Sequence, residues 1–81
     1  MQLIEKIKSW KESHPSRSLA VLERRTNVSK ESLSKLLNGK RQARLGTAIT
    51  ILVAICETRT EADEILRSDY EEFDALHNLS A

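Results

Sequence analysis

Two glycines and one proline in 81 residues leave this chain very few places to reverse direction sharply. Sandwiches and barrels need turn signals about every ten residues, and Gly39, Gly46 and Pro15 cannot supply them. Helices joined by a handful of loops need far fewer. The apolar residues agree, being mostly aliphatic, with Trp10, Tyr70 and Phe73 the only aromatics. The expected fold is therefore all-α. A chain this short supports one modest core, so residues 1–81 read as a single domain whose function lies on its surface.

Apolar periodicity divides the chain into five helices. Leu3, Ile4, Ile7 and Trp10 predict the first over about 2–12, with the stem of Lys11 extending its apolar stripe. His14-Pro15 ends it, because the residue before a proline avoids the α region. Ser16 or Ser18 can cap a second helix that runs to about Thr26 and buries Leu19 and Leu22. Asn27-Val28-Ser29 then breaks the pattern. Asparagine tolerates a left-handed backbone, Val28 can plug the corner, and Ser29 can cap a third helix over about 29–38. Leu33, Leu36 and Leu37 form its inner face, and Asn38-Gly39 stops it. A fourth helix over about 46–57 is apolar nearly all round, which predicts a buried central pillar. Thr60-Glu61-Ala62-Asp63 reads as a capping box opening an acidic fifth helix over about 60–78.

The net charge of +1 conceals a strong asymmetry. Residues 1–46 hold eleven lysines and arginines against four acids, a net +7, while residues 47–81 hold two against eight, a net −6. A basic front on a nearly neutral chain can still hold a polyanion on one face.

The most informative stretch is Ser18 to Gly39, SLAVLERRTNVSKESLSKLLNG. Leu22 precedes the turn, Val28 lies in it, and Leu33 and Leu36 follow it, which is what two steeply crossed helices need to share a small core. The outer face of the second helix would then project and could enter a groove about 12 Å wide, the width of the DNA major groove. Its leading and outward positions are Ser29, Lys30, Glu31, Ser34 and Lys35, all able to hydrogen-bond base edges: Lys to guanine, Glu31 to the cytosine amino group. Ser18, at the start of the stretch, and Asn38, Lys40, Arg41 and Arg44, at and just past the end of that helix, are the expected contacts to the sugar-phosphate backbone.

This stretch resembles the helix-turn-helix of the lambda-repressor-like family of phage and bacterial transcription regulators. The resemblance covers about residues 16–57 and rests on the leucine–turn–leucine spacing, the Val28-Ser29 corner, the Leu36-Leu37-Asn38-Gly39-Lys40 ending and the apolar helix after it. It implies a compact five-helix bundle with the helix-turn-helix in its second and third helices. The third enters the major groove, usually as part of a dimer. Asn27 stands where the family usually has glycine, and Glu23 where it prefers a small residue. Leu19 replaces a glutamine that supports DNA contact in many members, so that contact does not carry over.

Other classes fare worse. His14 and His77 lie near opposite ends, no nucleophile–base pair or metal spacing is visible, and no cofactor or small-molecule ligand is implied. Cys56 is alone, which excludes an internal disulfide. Without a signal-peptide pattern or a long apolar run, a cytoplasmic, nucleoid-associated protein with no membrane contact is expected. The rival is a protein–protein module on the same fold, such as an antitoxin-like partner or an accessory subunit of a phage or transposition machine. Surplus apolar residues near the C-terminus, Tyr70, Phe73 and Leu76, read as a homodimer seam compatible with either.

Overall fold

The computed structural model describes residues 1–73, and among these there is helix and connecting turn but no strand. The helices are α1 (Gln2–Glu12), α2 (Leu19–Thr26), α3 (Lys30–Leu37), α4 (Leu45–Ile55) and α5 (Arg59–Asp69), and residues 71–73 open a further helical turn. The all-α expectation holds. No helix among the described residues is long and apolar enough to cross a membrane.

Caps explain the boundaries. Ser18 is extended and its hydroxyl accepts from the Val21 N–H at 3.3 Å, so Ser18, not Ser16, starts α2. Asn27 takes the left-handed conformation, φ 61°, and its N–H closes α2 on the Glu23 carbonyl at 2.8 Å. Ser29 caps α3 through the Ser32 N–H at 3.1 Å. Gly39, at φ 74°, ends that helix as expected, with Lys40 N–H returning to the Lys35 carbonyl at 2.9 Å. The cap of α5 is Thr58 rather than Thr60, accepting from the Glu61 N–H at 3.2 Å. Thr58-Arg59-Thr60-Glu61 has the same spacing as the box expected two residues later.

Leu3, Ile7, Leu22, Leu33, Ile51 and Leu52 are fully enclosed, drawn from α1, α2, α3 and α4. Helix α4 packs against α1, α2 and α5, as a pillar should. It is not buried all round, however: Val53 is 72 % exposed, because nothing among the described residues covers that side.

Two contacts close the bundle. The Asp69 carboxylate accepts the Gln2 N–H at 3.1 Å and the Leu3 N–H at 2.7 Å, supplying the negative charge that the uncapped start of α1 favours. At the other end of α1, Trp10 is buried beneath the Arg17 and Arg25 guanidiniums, 5.2 and 6.0 Å from its ring centre.

Two expectations for the C-terminal part need correction. The acidic helix does not run from 60 to 78: α5 stops at Asp69, and Tyr70 turns to extended backbone. Tyr70 and Phe73 are not a free seam but core, 9 % and 8 % exposed. The reason is tertiary. Breaking the helix lets the Tyr70 ring swing inward and its hydroxyl donate to the Ala43 carbonyl at 2.7 Å. Leu76, the third residue of that expected seam, lies outside the described residues.

Candidate nucleic-acid interface

Residues 27–29 join α2 to α3, and the turn is held from three sides. Thr26 is buried, donating to the Leu22 carbonyl at 2.7 Å and accepting from the Val28 N–H at 3.2 Å, so no polar group is stranded there. Val28 is half-buried against the core, as its corner role requires. Glu23 reaches across from α2, its carboxylate accepting the Lys30 N–H at 2.6 Å. A carboxylate at the first turn of α3 satisfies an orphan donor and opposes the positive end of the helix. Glu23, where the resembled family prefers a small residue, thus staples the two helices together.

With Leu33 and Leu36 buried against the bundle, Lys30, Glu31, Lys35 and Asn38 are exposed on α3 and its C-cap. Ser34 is only half-exposed. Ser29 is exposed, but its hydroxyl is engaged within the turn, accepting from the Ser32 N–H and donating to the Ser32 hydroxyl at 2.9 Å. Ser18 likewise serves α2 as a cap. Both serines shape the scaffold, whatever else they touch.

The segment after α3 packs back alongside it. Arg41 donates to the Ser32 hydroxyl at 3.2 Å, and Tyr70 holds Ala43 from the far side. An open cleft of about 650 Å³ separates α3 from this loop and the start of α4, with Ser32, Arg41, Gln42, Arg44 and Thr47 among its walls. Lys40, Arg41 and Arg44 are exposed, as are Lys30 and Lys35 on the helix before them. None of these five cations forms an ion pair with a described residue. An ion pair, Lys6 with Glu61, lies between α1 and α5 instead. That contact raises the Lys6 pKa, chiefly through the hydrogen bond to Glu61.

The residues missed from sequence are the supports. Ser32 stands three residues after a serine cap, a spacing that invites a hydroxyl pair. Glu23 stands seven residues before Lys30, and a carboxylate near the end of one helix is a usable signal for capping the next. Tyr70 offers no local signal, since its partner is 27 residues away.

Elsewhere the chemistry is sparse. No group of three or more His, Cys, Asp or Glu able to hold a metal occurs among the described residues. Burial pushes the Cys56 thiol up, away from the thiolate form that reactive cysteines need. Compared with protein-family models, curated proteins and solved structures, the chain matches none of them.

Proposed function

We propose that this chain binds double-stranded DNA, laying α3 in the major groove as a helix-turn-helix regulator of lambda-repressor-like type. The observation that carries the reading is the run of exposed cations Lys30, Lys35, Lys40, Arg41 and Arg44, none ion-paired with a described residue, on one rigidly capped helix and the loop after it. Lys35 and Glu31 project from α3 to read base edges, with Lys30 and Ser34 beside them. Lys40, Arg41 and Arg44 meet the sugar-phosphate backbone, with Asn38 at the helix end. The scaffold supports this division of labour, because the serine caps, Glu23 and Tyr70 fix helix and loop before any ligand arrives.

The test is binding to a mixed-sequence duplex at several salt concentrations, read by fluorescence anisotropy. Each neutralised phosphate contributes about −0.9 to the slope of log affinity against log salt, so five give about −4.5. Between 50 and 200 mM salt that is a loss of about 500-fold. Absence of binding at 50 mM, or binding indifferent to salt, would sink the proposal.

A further inference from the structure

Helix α4 is the only described helix without a charged residue, reading LGTAITILVAI. Its exposed positions are Gly46, Thr50 and Val53, one uncharged ridge at helical spacing. A helix face left to water usually carries charge, whereas this ridge has none and its Val53 is 72 % exposed beside further apolar surface. Beside Val53 an apolar groove of about 560 Å³ runs between α4 and α5, with Leu52, Ala62, Leu66 and Phe73 at its base. Glu57, Arg59 and Asp63 stand along its edge.

We infer that Val53 and this groove form the seam at which a second copy of the chain docks about a twofold axis. The edge charges select the occupant. In a twofold contact each residue meets the partner's counterpart patch, so the patch must complement itself. An edge that holds both signs does so: Arg59 of each copy can face Glu57 or Asp63 of the other. A polyanion would meet two carboxylates and an apolar floor. None of the residues lining this groove belongs to α2, α3 or the 40–44 loop, so the seam and the proposed DNA face do not overlap. The seam is argued without the DNA-binding reading. Only its consequence, two α3 helices presented to one duplex, rests on that reading.

Sedimentation of the full chain without DNA tests the seam alone. The wild type should self-associate with rising concentration. Val53→Asp should raise the dimer Kd about 100-fold or more by setting a carboxylate at the centre of the contact, with an unchanged thermal midpoint because Val53 is outside the core. Arg59→Glu should weaken the dimer, and adding Asp63→Arg to it should restore association by returning both signs to each edge. A wild type that stays monomeric at millimolar concentration overturns the inference, as does a dimer that tolerates Val53→Asp. A monomeric wild type whose Val53→Asp variant loses thermal stability also overturns it, assigning Val53 to the fold of the single chain. Salt-dependent binding of Val53→Asp to a mixed-sequence duplex, measured in parallel, reports on the DNA reading independently of all these outcomes.

Discussion

Replacing Tyr70 by Phe removes one oxygen and little else, which makes it a sharp probe of how the C-terminal part supports the basic loop. The ring, 9 % exposed, keeps its packing, so the apolar contribution is retained. What disappears is the hydrogen bond to the Ala43 carbonyl, 2.7 Å long and joining residues 27 apart in sequence. A bond of this kind contributes about 0.5–1.5 kcal/mol net. For a domain of this size about 1 kcal/mol corresponds to a fall of about 4–8 °C in Tm. Urea unfolding followed by far-ultraviolet circular dichroism should show a lower midpoint with an unchanged slope, since no additional surface is exposed on unfolding.

The same substitution carries a pH signature. Burial of the ring, reinforced by the charges of Asp69 and Glu72, raises the Tyr70 phenol above its ordinary value. A folded-state pKa raised above the unfolded one means that this contribution is complete below about pH 10, the unfolded value. It is lost as pH rises through the higher folded value. The wild type should therefore lose its advantage over Tyr70→Phe only in strongly alkaline solution. Tyr70 is the sole tyrosine, so its ionisation can be followed directly by phenolate absorbance. Equal stability of the two proteins at pH 7, within about 0.2 kcal/mol, would refute the reasoning, because a bond of about 1 kcal/mol could not then be present.

Changing both Tyr70 and Phe73 to serine should unfold the domain rather than release folded monomers, since each buried ring contributes about 3–5 kcal/mol against a total of about 5–15; loss of the helical circular dichroism signal checks this. Replacing Lys40, Arg41 and Arg44 together by alanine should weaken binding to all duplexes alike and flatten the salt slope by about 2.7 in the anisotropy assay, three contacts at about 0.9 each. Lys35→Ala should instead alter which sites are preferred, at about 1–3 kcal/mol for a bidentate contact, read by selection from a random-sequence pool. Glu23→Gln should lower stability by about 1 kcal/mol through the weakened cap on the Lys30 N–H while tightening binding to mixed-sequence DNA, measured by urea unfolding and anisotropy on the same samples.

Local signals in the sequence located the first four helices to within two residues, α4 by its apolar run and the other three by residues with one strong backbone preference at their ends. Pro15 lies beyond α1, Ser18 and Asn27 bracket α2, and Ser29 and Gly39 bracket α3. The same logic failed at Tyr70. Acidic helix formers continue on both sides of it, so propensity favours an unbroken helix; the break follows from a partner 27 residues away that periodicity cannot register. Asp69 is a similar case, since its helix-capping role depends on Gln2 and Leu3 at the opposite end of the described chain. In α4, counting apolar residues predicted full burial without asking whether enough neighbours exist to bury them. A small bundle has too few, and Val53 stays outside. The exposed cations of 30–44 were legible for a simple reason: they are exposed because no apolar contact recruits them.

How the charges are distributed bears on why those cations are there. Thirteen basic and twelve acidic residues offered ample opportunity for pairing. Charge is used for stability elsewhere, as in Lys6 with Glu61, Asp69 on the start of α1, and Arg17 and Arg25 over Trp10. Along α3 and its following loop, the nearby carboxylates of Glu23 and Glu31 form no ion pair with the cations around them, and Glu23 is committed to a backbone N–H. Five positive charges without an ion-pair partner among the described residues, set on adjoining short segments, repel one another over a Debye length of about 8 Å. A surface selected for stability alone would interleave the signs. One selected to meet a polyanion would keep them clear of internal partners, because an arginine already paired gives up that bond before it can neutralise a phosphate. That the side chains of Lys30, Lys35, Lys40, Arg41 and Arg44 make no structural contact with the described residues beyond the single bond from Arg41 to Ser32 is what supports the proposed contact with a polyanion.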